Sequence, residues 1–173
     1  MLSQQPPRAQ QGASLIEVLI TVLLLSFAML AMANMHAMSL KYVKMAEFRG
    51  IATELALDLS DRMRANGSAA RANNYNYTIA YSSPPGAATV PSCTDANECT
   101  PAEIAAIDVA ELRNTARLAL PAGSLRIQRD AANVSIVNLW IIWTDPDGAN
   151  LATCPAAISS SSSVQCVAMR VAL

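Results

Sequence analysis

Histidine is nearly missing from this chain: among 173 residues only His36 carries an imidazole, and it follows a long apolar run. A His-based catalytic triad is therefore excluded from the outer, globular part of the chain. The sequence also lacks a Gly-rich phosphate loop, a nucleophile elbow and a cluster of metal ligands. No catalytic residues, no cofactor and no metal are expected. There is no basic patch with interleaved aromatics, and a formal net charge of −1 argues against binding nucleic acid or any other polyanion. Proline is absent between Pro7 and Pro84, which leaves that stretch free to form uninterrupted helix. What the chain has in quantity is apolar surface. It is 53% hydrophobic with a mean hydropathy of +0.28, high for a soluble protein and expected where a segment meets a membrane.

The apolar run 15–33 contains one charge, Glu17, and Gly12 lies five positions before it. An acid at mid-bilayer costs roughly 2.5–3.5 kcal/mol, less toward the interface, so a carboxylate there implies a cation to meet it. A cut after Gly12 would supply one. Ala13 would become a new terminus with its amine four residues ahead of Glu17, on the same helix face about 6 Å away. The two could pair within one chain or between neighbours packed in parallel. At about 4 Å and an effective dielectric near 20, the attraction is on the order of 4 kcal/mol before desolvation. That would offset burial and fix the stagger between subunits. Two other readings of the run stay open. Ala31-Met32-Ala33 has the small-residue form of a signal-peptidase site, which would make an ordinary secreted protein, although Glu17 would then fall in the signal core. A plain single-pass anchor is the other.

The segment Gln11-Gly12-Ala13-Ser14-Leu15-Ile16-Glu17 resembles the class III signal of type IV prepilins and of type II secretion pseudopilins. That signal has a short polar leader, a glycine before the cut and a glutamate at the fifth mature position of an apolar helix. Ala13 departs from the pattern, which usually has phenylalanine there. The resemblance implies cleavage between Gly12 and Ala13 by a prepilin peptidase, methylation of the Ala13 amine, and subunit docking through Glu17. The chain then divides into a leader at 1–12 with one positive side chain, Arg8, an apolar assembly half-helix at 13–34, an amphipathic half-helix at 35–65 and a globular α+β domain at 66–173.

Helical signals run from Ser14 to Asn66-Gly67, a C-terminal stop, giving a helix of roughly 80 Å. Its later part has an apolar stripe of Leu40, Val43, Phe48, Ile51, Leu55, Leu59 and Met63 at helical spacing. Lys41, Glu47, Glu54, Asp58 and Asp61 fill much of the remainder, and Asp58 and Asp61 beside Arg62 read as solvated. Residues 66–92 are loop-rich. Tyr75, Tyr77, Ile79 and Tyr81 alternate with Asn76, Thr78 and Ala80, predicting a short strand whose tyrosines pack across the helix, with a tyrosine comb for a carbohydrate or partner as the lesser reading. Thr100-Pro101-Ala102-Glu103 is a capping box, and Asp108-Val109-Ala110-Glu111 repeats its logic. This predicts one helical turn followed by a second helix to about Leu118. Strands are expected at 124–130, 133–144 and 164–173. The middle one is largely apolar on both faces: Val137, Leu139, Ile141 and Trp143 on one, Val134, Ile136, Asn138, Trp140 and Ile142 on the other. Three or four antiparallel strands over a helix make an α+β domain.

The four cysteines, Cys93, Cys99, Cys154 and Cys166, all follow the apolar run, and an even count in an exported region reads as two disulfides. Three connectivities are possible; the local one, Cys93–Cys99 with Cys154–Cys166, is preferred. Each short loop would contribute roughly 2–3 kcal/mol by restricting the unfolded chain. Neither spacing matches zinc ligation. Asp145-Pro146-Asp147-Gly148 reads as a turn without the ligands of a calcium loop, and the serines at 159–163 as a flexible linker.

Beyond the leader, Leu57-Asp58-Leu59-Ser60-Asp61-Arg62-Met63-Arg64-Ala65-Asn66 resembles the end of the long helix in PilV-type minor pilins. The later order of a Cys-containing loop, a Thr100-Pro101 helix, Leu120-Pro121-Ala122-Gly123, a strand to Trp143 and a Cys-containing hairpin extends the likeness. Leu112-Arg113-Asn114 departs from it where an aromatic is common. The resemblance implies the type IV pilin-like fold, a long helix packed on a small antiparallel sheet. It also implies a low-abundance subunit that primes pilus assembly in a minor-pilin complex at the tip, with motility and adhesion downstream. Implied partners are other minor and major pilins, prepilin peptidase, the pilus assembly platform and, before assembly, lipid of the bacterial inner membrane, with the globular domain in the periplasm. Partner surfaces are expected in the loops 66–92 and 149–163. A minor pseudopilin of type II secretion shares the leader and helix and is the alternative.

Overall fold

A computed structural model describes residues 14–81, 85–95, 98–145, 154–158 and 163–173. The chain forms two compact units, Met1–Val43 and Lys44–Leu173. Helix α1, Leu15–Ala65, supplies all the described structure of the first unit except Ser14, and enters the second.

In the second unit, α1 buries Ala52, Leu55, Ala56, Leu59, Ser60 and Met63. Steps of three and one along a 3.6-residue repeat put these on one face. The expected stripe is thus observed from Phe48 onward. Leu40 and Val43, assigned to the same stripe by spacing, are instead 68% and 61% exposed. Arg62 and Arg64 lie in the last turn of α1, where cations favour the helix dipole.

The helix ends at Ala65, next to the expected Asn66-Gly67 stop, but Gly67 is not a left-handed cap. It opens a second helix, α2, Gly67–Arg71, whose Ala69 and Ala70 join the core. Arg129 closes the other end of α2 by donating to the carbonyls of Ala70 and Arg71 at 2.8 and 2.7 Å.

The residues from Tyr75 to Tyr81 do not form the predicted strand. Only Tyr77 pairs, exchanging backbone hydrogen bonds of 2.9 and 2.8 Å with Ile127. The physical reason is that neighbouring tyrosines leave for different cores. Tyr75 is 2% exposed in the main cluster, whereas Tyr81 packs in a second one.

Helix α3 runs unbroken over Pro101–Ala119. The Thr100–Glu103 capping box is formed, with the Thr100 side chain accepting from the Glu103 amide and the Glu103 carboxylate accepting from the Thr100 amide. The second capping site expected at Asp108 does not exist. The Asp108 carboxylate is engaged by side chains of other elements, so it does not compete for helix amides.

Strands β1 (Ser124–Arg129), β2 (Ile136–Thr144) and β3 (Val164–Ala172) form an antiparallel sheet in the order β1-β2-β3. The entry to β1 requires glycine. A Cβ on Gly123 would collide with the Ala116 carbonyl, lying 2.6 Å from its carbon. The turn before β2 is longer than expected, because the Asp130 carboxylate accepts from the Ala132 and Asn133 amides and holds the chain back until Ile136.

Central strand β2 is buried along one face, and on the other is buried at Ile142 and half-buried at Ile136, Asn138 and Trp140. Val137, Leu139, Ile141 and Trp143 meet Leu59 and Met63 of α1 and Leu112 of α3 in the main core. On the opposite face, Ile142 packs with Cys154, Ile158, Val164 and Cys166. Burying each such aliphatic side chain contributes roughly 1.5–3 kcal/mol. Val171 joins the main core, with Val167, Met169 and Leu173 partly buried against it. The expected α+β architecture is present, a long N-terminal helix with a small antiparallel sheet.

Candidate functional site

The first unit concentrates the features singled out in the sequence. Every residue from Ser14 to Val43 is exposed, and its large apolar side chains keep between 51% and 79% of their surface. A helix apolar all round is a segment for lipid or for other such helices. Among the described residues, α1 is the one helix long and apolar enough to cross a membrane. Two hydroxyls in its apolar run are satisfied internally. The Thr21 and Ser26 hydroxyls donate to the carbonyls of Val18 and Val22, each at 2.8 Å. That removes their need for water and suits apolar surroundings. Ala31, Met32 and Ala33 lie within the same continuous helix.

Glu17 lies in the first turn of α1, its amide 2.9 Å from the Ser14 carbonyl. An anion there interacts favourably with the positive end of the helix dipole. Its side chain is exposed and has no ion pair among the described residues. Gly12 and Ala13, the expected cleavage and methylation positions, lie outside the described residues.

The outer domain is held to the later part of α1 by a polar node that sequence reasoning missed. Arg62 donates to Asp58 at 3.1 Å, to Asp108 at 2.9 Å and to Glu111 at 3.0 Å. The Tyr75 hydroxyl donates to the other Asp108 oxygen at 2.7 Å. Of the two acids expected to be solvated, Asp61 is exposed, whereas Asp58 is drawn into this node by Arg62. The hydrogen bonds it donates to Asp58 and Asp108 raise the Arg62 guanidinium well above its ordinary pKa. Burial, reinforced by the Asp108 bond, pushes the Tyr75 phenol upward. Both groups stay protonated at any physiological pH. A signal did exist: Asp108 shares a face of α3 with Ala105, Leu112 and Ala116, an acid on an apolar stripe.

Residues 34–110 match the family model described as Type IV pilin Tt1218, and residues 7–33 match the model of the prokaryotic N-terminal methylation motif. The two matches abut at the end of the apolar run. Together they support a type IV pilin. The fold agrees, its long N-terminal helix and three-stranded antiparallel sheet being type IV pilin-like. No curated protein and no solved structure matches the chain. The pilin family is structural and not enzymatic, which accounts for a sequence so poor in catalytic groups. A pilin with a prepilin motif also implies other pilins and a prepilin peptidase among its partners, and an N-terminal apolar helix fits membrane anchoring before entry into the pilus.

Both expected disulfide loops are closed in the outer domain. Cys93 pairs with Cys99 and Cys154 with Cys166, at Cα separations of 5.1 and 5.2 Å. The first is tied to α3. Glu103 accepts hydrogen bonds from Thr94 as well as from Thr100, side chain and amide in each case. Those bonds, Thr94 first, hold its carboxyl down at about 2. Of the two loops expected to face partners, 66–92 is ordered around α2 and Tyr77, apart from 82–84, which are not described. Most of 149–163, and with it the turn at 145–148 beyond Asp145 and the serine run before Ser163, lies outside the described residues.

Proposed function

We propose that this chain is a PilV-type minor pilin that primes assembly of a type IV pilus as part of a tip complex, and so supports motility and adhesion. In this reading prepilin peptidase cuts between Gly12 and Ala13, the Ala13 amine is methylated, and the mature chain waits in the inner membrane with its outer domain in the periplasm. The assembly platform then extracts it. Glu17 pairs with the terminal amine of a neighbour, which sets the axial stagger while the exposed side chains of 15–43 supply lateral packing.

The observation that carries the reading is the join of a methylation motif at 7–33 to a pilin match at 34–110. It is supported by Glu17, a carboxylate without an ion pair among the described residues in an exposed apolar helix. A group so placed needs a cation before it can be buried in a fibre.

The test has three parts. Mass spectrometry of the mature polypeptide should find Ala13, methylated, as its first residue; an end at Asn34 would mean ordinary secretion instead. Replacing Glu17→Ala should leave cleavage intact and sharply reduce incorporation into surface fibres. Deleting the gene should abolish surface pili and leave exoprotein secretion unchanged. The reverse phenotype would assign the chain to a type II secretion pseudopilus.

A further inference from the structure

The arginines of the outer domain differ in what they meet. Arg62, Arg64 and Arg170 are ion-paired, and Arg126 and Arg129 donate to backbone carbonyls. Arg113 lies with its guanidinium carbon 4.4 Å from the centre of the Tyr77 ring and has no carboxylate partner among the described residues. One turn further on, Arg117 carries a buried Nε–H without an acceptor. Two like charges at i and i+4 on one helix destabilise it slightly. The helix dipole compensates only within the last turn, which covers Arg117 and not Arg113. The Tyr77 ring favours a cation above its face while leaving the guanidinium edge open to a ligand.

Arg113 borders an open groove of about 310 Å³. Val109 of α3 lines its floor, Asn74 and Asn76 one side, Thr89 and Pro91 the other. Both sides are fixed. The Asn114 amide donates to the Ala88 carbonyl at 2.8 Å and accepts from the Ala88 amide at 2.9 Å, which clamps Thr89 beside α3. The Tyr77–Ile127 bridge holds the segment that carries Asn76. The groove is thus formed before anything enters it, which lowers the ordering cost of binding.

We propose that this groove binds a carboxylate-bearing sugar of about hexuronate size. Arg113 takes the carboxylate, for which the guanidinium fork is the matching two-donor geometry. Asn74, Asn76 and Thr89 take the ring hydroxyls. Amides and hydroxyls both donate and accept, as a sugar hydroxyl does, so the pairing is reciprocal. Val109 and Pro91 offer apolar surface to the C–H face of the ring. A volume near 300 Å³ sits at the small end of ligand sites and suits one such ring. An acidic peptide side chain would satisfy Arg113 and leave the three neutral polar groups without work.

The test uses the isotope-labelled full-length chain in detergent micelles, titrated separately with sodium glucuronate, glucose and N-acetyl-aspartate. Glucuronate should shift the side-chain amide signals of Asn74 and Asn76 saturably at about millimolar concentration, as small ligands do, and added salt should weaken the response. Arg113→Gln should lower affinity about tenfold or more. Arg113→Lys should restore part of it, keeping charge without the fork. A thermal melt of each variant establishes that it is folded. Thr89→Val, at an exposed position, gives the same loss of affinity in smaller measure should Arg113→Gln not fold. Unshifted asparagine signals overturn the proposal. So does glucose binding as tightly as glucuronate, or N-acetyl-aspartate binding equally well, since the carboxylate alone would then suffice.

Discussion

Leu23 and Leu59 are the same residue in the same helix, yet Leu23 keeps 57% of its surface and Leu59 none. Around Leu23 every neighbour from 15 to 33 except Glu17 is uncharged, so no face of the helix is preferred. Around Leu59, Glu54, Asp58 and Asp61 mark the faces that stay wet and leave one for the core. Apolar content alone therefore does not say where a helix packs; the distribution of charge around it does. The earlier stretch has the character of a segment for lipid or for other such helices, and the later one packs on its own domain.

The largest expected effect breaks that comparison at its centre. Leu59→Ala opens a cavity in the main core and should cost about 2–5 kcal/mol of outer-domain stability, read by denaturant unfolding of the full-length chain in micelles. Leu23→Ala should leave that transition where it is and weaken membrane insertion by a few tenths of a kcal/mol. Equal losses from the two substitutions would show that the exposed stretch is part of the folded core.

A smaller effect sharpens the comparison inside the second unit. Asp108→Ala strips Arg62 and the Tyr75 hydroxyl of a shared, 12% exposed carboxylate and should cost about 2–3 kcal/mol. Glu111→Ala removes a partner of the same arginine that is 48% exposed, and should change stability by about 0.5 kcal/mol or less. If Glu111→Ala costs as much as Asp108→Ala, the node is organised by charge count and not by burial.

Much of this architecture can be read from residues alone, and the failures have a common cause. The Leu55, Leu59 and Met63 stripe, the Thr100–Glu103 capping box and the two-faced strand 136–144 all arise from local spacing, and each forms. Asp108 and Tyr75 could not be read that way. The same acid that looks like a second helix start becomes, once Arg62 and Tyr75 are brought to it from 46 and 33 residues away, the interior of one long helix. Tyr75 obeys the same rule, since its strand-like alternation yields to a buried hydroxyl partner. Tertiary contacts override local pattern where a polar side chain finds a distant partner. At the candidate assembly site the sequence carried Gly12, Ala13 and Glu17, and the exposure of 15–33 was implied by its apolar character, whereas that of Leu40 and Val43 was not. What no local pattern carried was the Arg113 groove, whose walls come from residues 74–76, 89–91 and α3.

The finest effect lies within the second unit and is read by pH. With its carboxyl held at about 2 against an ordinary value of 4.5, Glu103 is stabilised in its charged form by Thr94 and Thr100. A carboxylate whose pKa is depressed by folding adds stability above its unfolded value, and that stability drains away as pH falls toward the folded value. The Cys93–Cys99 loop and the start of α3 should therefore loosen between about pH 4.5 and about pH 2, visible as loss of protection at the Thr94 and Thr100 amides. Glu103→Gln keeps an acceptor and removes the charge. Its deficit relative to the natural chain should be full near neutral pH and shrink across that window. A deficit that stays constant on acidification would mean that the loop is held by hydrogen-bond geometry, with the charge contributing nothing.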